Sequence, residues 1–166
     1  MVTRHEVRRT SRALLVDGRD RLLLIRVRDS VSAGPAFWVT VGGGVEPGED
    51  DEQALLREIR EETGLELSAG DLGPVVWERS VRHGYADHVT DQVEVFRFVR
   101  VAGEPTVRDE GGSELGHRWW GAEELAANPE DTWPHHLAEL LPRVLAAPWT
   151  APPLRLPDTV EDAPQP

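Results

Sequence analysis

The sequence lacks cysteine altogether, which excludes disulfide bonds and catalysis by a thiol. It also lacks lysine, so that all 18 basic residues are arginine, a usage typical of high-GC bacterial genomes. No apolar run approaches the roughly 20 residues needed to cross a bilayer. The N-terminal segment is not followed by the apolar core and small-residue cleavage site of a signal peptide. We therefore expect a cytoplasmic bacterial protein.

Positive charge is scarce, with 18 basic residues against 30 acidic ones and a formal net charge of −12. This balance argues against binding to a nucleic-acid polymer, because phosphate backbones require a basic surface. A small anionic substrate remains compatible, since metal ions and a few arginines offset repulsion over the short distances inside a cleft. With 39% hydrophobic residues among 166, the chain is long enough for one domain with a packed core.

The most informative segment runs from Gly43 to Leu65 and reads GGVEPGEDDEQALLREIREETGL. Its glycines and the Pro47-Gly48 pair predict a loop. The residues that follow, up to Thr63, contain no Gly or Pro and are rich in helix formers, so that they predict a helix. Acidic residues in the first turn suit the positive end of the helix dipole, and Gly64 suits a left-handed C-terminal cap.

The predicted helix has one apolar side and an acidic strip beside it. At about 100° per residue, the apolar side consists of Leu55, Leu56 and Ile59. The acidic strip, at spacings i, i+3 and i+4, consists of Glu58, Glu61 and Glu62. Carboxylates at this spacing repel one another, and a bound divalent cation removes the repulsion. Taken alone, such a strip is more often a solvated helix surface than a metal site.

The same segment resembles the Nudix box, the signature of hydrolases that act on nucleoside diphosphates linked to another group. The constrained positions of that signature are all filled, by Gly43, Glu49, Arg57, Glu58, Ile59, Glu61, Glu62, Gly64 and Leu65. Nine constrained positions at fixed spacing rarely coincide by chance. In this context the metal-binding interpretation of the acidic strip is favoured over the solvated surface.

The resemblance implies that Glu58, Glu61 and Glu62 bind Mg²⁺ (or Mn²⁺), helped by the backbone carbonyl of Gly42. Oxygen ligands suit these hard cations, and no cysteine is present to favour a softer metal. A divalent cation also suits the chemistry, because it neutralises the non-bridging oxygens of a pyrophosphate and acidifies the attacking water.

The resemblance further implies that Arg57 pairs with Glu49 and ties the loop to the helix. The alternative for Arg57 is an ordinary surface pair with Glu61, worth only about a few tenths of a kcal/mol. The general base is expected to be Glu58 or Glu61, or else Glu114 from a later loop, because the family places its base variously.

Outside the box the expectations are weaker. Glu114 lies shortly before a predicted strand, where many Nudix hydrolases carry an additional glutamate. Glu110 is a competitor in the same loop, and either residue is equally compatible with a solvated loop acid. Four tryptophans are candidates to stack a nucleobase, namely Trp38, Trp77, Trp119 and Trp120. We select Trp77 as a substrate-binding residue, although a tryptophan in a strand more often belongs to the core.

Apolar and alternating runs elsewhere predict an α+β protein. The predicted strands are 11–16, 22–27, 37–41, 75–81, 92–101 and 117–120, and the further helices are 122–127 and 135–146. The resemblance implies the Nudix fold, a mixed β-sheet sandwiched between α-helices, over residues 10–147. We expect residues 1–9 to be a flexible N-terminus. Residues 148–166 contain six prolines and predict a flexible tail without helix or sheet pairing.

These features predict a Mg²⁺-dependent hydrolase that cleaves a phosphoanhydride bond in a small nucleotide. Nucleoside triphosphates, ADP-ribose, dinucleoside polyphosphates and nucleotide sugars all remain candidate substrates, because the loops that select them follow no portable code. A catalytically silent nucleotide-binding module and an isomerase on the same fold are the alternatives. The oligomeric state stays open, with a homodimer among the options.

Overall fold

The computed structural model describes residues 4–28, 34–84, 88–108, 115–146, 152–157 and 159–162. Within these ranges the strands are β1 (Arg4–Val16), β2 (Leu22–Val27), β3 (Phe37–Gly44), β4 (Val75–Gly84), β5 (His88–Arg100), β6 (His117–Trp120), β7 (Thr132–Trp133), β8 (Leu154–Arg155) and β9 (Thr159–Asp162). The helices are α1 (Asp51–Thr63), α2 (Ala122–Ala126), α3 (Leu137–Ala146) and one turn of 3₁₀ helix (Ala69–Asp71).

The strands form one mixed sheet in the order β6-β2-β3-β1-β5-β4-β8. Its centre is the parallel pair of β1 and β5, which are in register from Arg4 opposite His88 to Val16 opposite Arg100. β3 lies antiparallel beside β1, and β4 lies antiparallel beside β5. β7 adds to β3, and β9 adds to β4.

Helices cover both faces of the sheet. On one face, Leu14 and Phe96 belong to a buried cluster that includes Leu137 and Leu141 of α3. On the other face, Leu15 belongs to a second cluster with Ile59 of α1. The predicted mixed sheet between helices is therefore confirmed. No helix in the described ranges has both the length and the apolar character that a membrane span requires.

The first strand begins earlier than the predicted domain boundary at residue 10. Residues from Arg4 onward pair with β5, although the first six positions of β1 are mostly exposed and polar. An exposed strand carries no alternation of apolar and polar residues, so the sequence pattern gives no signal for it. The expectation of a flexible segment does not match the sheet pairing of residues 4–9.

The C-terminal segment also differs from the expectation of a tail without sheet pairing. β8 and β9 pair in parallel with β4, at its side away from β5. The two strands are short enough to fit between the prolines, and proline is tolerated at the edge of a sheet. Beyond the ladder, Leu156 donates its N–H to the Glu78 carbonyl at 2.9 Å and buries its side chain in the α3-side core.

Leu156 and Leu154 offer a matched test of whether this segment stabilises the domain. Leu156 is 5% exposed, whereas Leu154 is 45% exposed. We expect Leu156→Ala to lower the free energy of unfolding by about 2–3 kcal/mol, as for a leucine in a packed core. Leu154→Ala should change it by less than about 0.5 kcal/mol. Urea denaturation checks both, and equal effects from the two variants would contradict docking through Leu156.

Candidate active site

Two glycines at the end of β3 allow α1 to approach the sheet. Gly42 has φ of +133°, and a side-chain carbon added there would lie 2.8 Å from the Cα of Arg12 on β1. A carbon added to Gly43 would lie 2.6 Å from the carboxyl carbon of Glu58. The backbone of β1 leaves no room for a side chain at Gly42, whereas at Gly43 a side chain would displace the Glu58 carboxylate from its position against the strand.

The helix that follows begins at Asp51, two residues after the predicted start, and ends at the predicted Gly64 cap. The Asp50 side chain accepts a hydrogen bond from the Gln53 N–H at 2.8 Å, and the Gln53 side chain accepts one from the Asp50 N–H at 3.0 Å. The two bonds form a capping box. Gly64 adopts φ of 71° and donates to the Arg60 carbonyl at 2.9 Å. These caps fix where the helix begins and ends, and therefore which side chains face β3.

The structure brings the three glutamates of the acidic strip to the β3 end in different environments. Glu62 accepts the Gly42 N–H at 2.8 Å. The Glu58 side chain is only 16% exposed and lies against Gly43. The Glu61 side chain is 49% exposed. Two of the carboxylates are thus packed against the strand, while the third faces solvent.

The predicted pair of Arg57 and Glu49 is confirmed. Arg57 donates from Nε and Nη2 to the two Glu49 oxygens at 2.7 and 3.0 Å, and from Nη2 to the Gly44 carbonyl at 2.9 Å. The alternative contact, with Glu61, is longer at 3.4 Å. Arg57 therefore holds the loop to the helix, as the resemblance implies.

The contacts of Arg57 with Glu49 and the Gly44 carbonyl, called the Arg57 clamp below, shift the pKa values of both side chains. Hydrogen bonds from Arg57, and then from the Glu46 N–H, lower the pKa of Glu49 to about 2. The same pairing, chiefly with Glu49 and then with Glu58, raises the pKa of Arg57. Glu49 is consequently a permanent anion at neutral pH and not a group that exchanges protons during a reaction.

The oxygen donors of the expected metal site are present, but each has a partner within the protein. Glu58 accepts from Arg57 Nη1 at 2.8 Å, and the Gly42 carbonyl accepts from Arg12 Nη1 at 2.9 Å. Among the described residues, no group of three or more His, Asp or Glu side chains converges on one point. The chemistry of the donors suits Mg²⁺ or Mn²⁺, and holding one requires these side chains to rotate.

A cavity of about 690 Å³ opens next to this site, on the α3-side face of the sheet. Its polar lining includes Arg12, Arg79, Gln92 and Glu94. The Arg79 Nε donates to Glu94 Oε2 at 2.6 Å, and both side chains are nearly completely buried. The ring of Trp133 lies on the wall, with the Arg79 guanidinium 5.1 Å from its centre. The volume falls in the range typical of small-molecule sites.

The choice of Trp77 as a stacking residue is not supported by its position. Its side chain is 3% exposed and packs on Phe96 in the core, so that its ring has no face free for a base. Trp38 and Trp120 are also buried and contact each other edge to face at 5.0 Å. Two other aromatic residues, Phe37 and Trp133, line the cavity, and neither is among the four tryptophans considered from the sequence.

Arg79 and Glu94 were missed although the sequence carried a signal for them. Arg79 lies two residues from both Trp77 and Val81, and Glu94 lies two residues from Phe96, so that each charge shares a strand face with core residues. A charged residue on a buried strand face requires a partner or a function. Glu114 and its competitor Glu110 lie outside the described residues, and their role stays a prediction.

Comparison with known proteins agrees with this geometry. A family model described as the NUDIX domain matches residues 7–144. The chain belongs to the Nudix family. It is therefore an enzyme of the pyrophosphohydrolase class. A nucleoside triphosphatase NudI of Salmonella paratyphi B is 36% identical over 109 residues, which are 63% of this chain and 75% of the relative.

Solved Nudix-type structures share the fold. A MutT protein from Methanosarcina mazei Go1 superposes with a TM-score of 0.63 at 16% identity, covering 89% of this chain and 99% of that one. The E. coli dihydroneopterin triphosphate pyrophosphohydrolase gives a TM-score of 0.59 at 25% identity, covering 83% and 94%. These likenesses support the α+β Nudix fold found here.

The clamp predicts a specific dependence of stability on pH. Between the ordinary pKa of about 4.5 and the folded value of about 2, the unfolded Glu49 binds a proton that the folded one does not, so acidification through this window removes the stability that the clamp provides. We expect Glu49→Gln to melt below wild type at pH 6, with the gap narrowing towards pH 2. Thermal unfolding across pH tests this, with Glu46→Gln on the same loop as the control. A gap that does not depend on pH would contradict it.

Proposed function

We propose that this Nudix enzyme hydrolyses a nucleoside triphosphate with the help of Mg²⁺, in the cytoplasm. The proposal is carried by the complete box and a cavity of about 690 Å³ beside it, since Arg12 lines the cavity and contacts Gly42, the residue just before the box. The choice of a triphosphate rests on the Salmonella relative, whose name is nucleoside triphosphatase. The cavity would hold the nucleoside, and the box would act on the phosphates.

The proposed reaction is attack of water on phosphorus. One phosphoanhydride P–O bond breaks, one P–O bond to the water oxygen forms, and the water proton passes to a base. A divalent cation, when bound, neutralises the phosphate oxygens and acidifies the water. Glu58, Glu61 and Glu62 are its proposed ligands together with the Gly42 carbonyl, and Arg57 keeps the loop and helix in fixed positions through Glu49.

We assign the proton transfer to Glu61 among the three carboxylates. Its side chain is 49% exposed, and its contact with Arg57 is long at 3.4 Å. Glu58 is held more closely by Arg57, at 2.8 Å, and Glu62 accepts the Gly42 N–H. A carboxylate with few fixed partners is the one most able to approach water and accept its proton.

The sequence alone also left two alternatives to hydrolysis, a catalytically silent module and an isomerase. A catalytically silent module would normally have lost parts of the box, whereas here every position is filled. An isomerase on the same fold would convert its substrate without releasing phosphate or pyrophosphate. A substrate panel therefore separates the three possibilities.

The test is release of phosphate and pyrophosphate from a panel of nucleoside triphosphates, ADP-ribose, a dinucleoside polyphosphate and a nucleotide sugar, with Mg²⁺ and with Mn²⁺. We expect turnover of at least one triphosphate. Glu61→Gln should lower kcat by about 100-fold or more at saturating Mg²⁺, because a positioned base contributes about that much. Glu62→Gln should instead weaken metal binding and recover part of its rate at higher Mg²⁺.

Glu139→Gln, which removes an exposed carboxylate from α3 on the other side of the sheet, is the matched control and should keep the wild-type rate. Failure to process any substrate would favour the silent module. Loss of rate in Glu61→Gln that higher Mg²⁺ restores would make Glu61 a ligand only, and would move the base to Glu58 or Glu114.

A further inference from the structure

Arg12 contacts Gly42, the residue just before the box, and also lines the cavity. It lies on β1, and its Nη1 donates to the Gly42 carbonyl at 2.9 Å and to the Thr40 carbonyl at 3.2 Å. Its Nε lies 3.6 Å from Glu94 Oε1 on the cavity floor. The side chain is 21% exposed and lines the cavity. A single guanidinium thus has acceptors at two neighbouring sites.

The carbonyl that Arg12 occupies is the one assigned to the metal in the proposed function. Gly42 donates its N–H to Glu62 and accepts Arg12 at its oxygen, so that both of its backbone polar groups are already engaged. The carbonyl oxygen has two lone pairs, but a guanidinium and a divalent cation on the same oxygen repel each other at contact distance. Departure of Arg12 therefore favours cation binding at Gly42.

A second location for the guanidinium is already close. Glu94 holds Arg79 through Oε2, while Oε1 accepts Gln92 Nε2 at 2.9 Å and faces Arg12. A rotation of the flexible Arg12 side chain brings it nearer to Glu94 and the cavity without moving the backbone. There it presents donors to an anionic ligand.

We propose that Arg12 is a positioning residue that occupies the Gly42 carbonyl when no divalent cation is bound, and that exchanges with the cation by turning towards Glu94 and the cavity. In the cavity it binds the phosphate group nearest the nucleoside. The exchange lowers metal affinity in the free enzyme and favours metal binding once an anionic substrate attracts the guanidinium. This inference rests on the proposed function for the role of the Gly42 carbonyl.

The exchange gives Arg12 two effects of opposite sign. Removing the guanidinium frees the carbonyl, so Arg12→Gln should bind Mn²⁺ about fivefold or more tightly, a usual size for coupling between two sites. The same variant loses a partner for the substrate phosphate, so its KM should rise about tenfold at saturating metal while kcat changes much less. A residue that only supports the fold would weaken both kinds of binding.

To test this, Mn²⁺ is titrated into the nucleotide-free protein, and the concentration of free Mn²⁺ is measured by electron paramagnetic resonance. Arg8→Gln is the charge-matched control, because the Arg8 guanidinium lies beside Gly44, with Nη2 2.9 Å from a carbon added there. It should tighten Mn²⁺ binding less than about twofold. Arg12→Lys keeps the charge and the aliphatic stem, and should fall between Arg12→Gln and wild type.

The outcomes separate the exchange from the proposed function. Unchanged or weaker Mn²⁺ binding in both Arg12 variants, with tight binding by wild type, would overturn the exchange alone. Equal tightening in Arg8→Gln would overturn it too, since the effect would then be that of net charge. If wild type binds no Mn²⁺ at millimolar concentration, or Glu58→Gln/Glu62→Gln binds it equally well, the metal site itself is wrong and the exchange falls with it.

Discussion

The close approach of α1 to the end of β3 is the constraint on which the site depends. A side chain at Gly42 would meet the backbone of β1, and one at Gly43 would displace the Glu58 carboxylate. Because the strand has no side chains at these positions, carboxylates from the helix reach its backbone, and Glu62 accepts a hydrogen bond from the Gly42 N–H. Caps at Asp50 and Gly64 then fix the helix along its axis, and the Arg57 clamp fixes the loop before it.

Arginine balances the negative charge of the site. In a chain with a formal net charge of −12, Arg57 bonds three carboxylates, and Arg79 neutralises the buried Glu94. A planar guanidinium suits this task, because several donors in fixed directions can serve different acceptors at once. These pairs reduce the electrostatic repulsion among carboxylates that lie close together in the site.

The sequence predicted the features that depend on local spacing. The box helix, its Gly64 cap and the pairing of Arg57 with Glu49 all lie within one short segment, where helical geometry determines which residues meet. The mixed sheet was predictable because its core strands have apolar or alternating patterns. Glu58, Glu61 and Glu62 could be chosen for the same reason, although their roles as metal ligands or base remain predictions.

The features that were missed depend on partners distant in sequence. Arg12 meets Gly42 only because β1 lies beside β3, and Arg79 meets Glu94 only because β4 lies beside β5. The pairing of residues 4–9 and of the C-terminal strands likewise comes from a neighbouring strand, with little apolar patterning of their own. The burial of Trp77 could not be predicted, because its ring is covered by core residues that are distant in sequence.

The parallel pairing of β1 with β5 also bears on how the protein reaches its folded state. The first strand has its longest ladder with a strand that lies beyond the whole box in sequence, and the intervening chain must close as one large loop. Closing such a long loop costs conformational entropy before the strand pairing stabilises the chain, and this slows folding. During synthesis, β1 can pair with β3 as soon as β3 is made, but its ladder with β5 forms only after residues up to Arg100 are present.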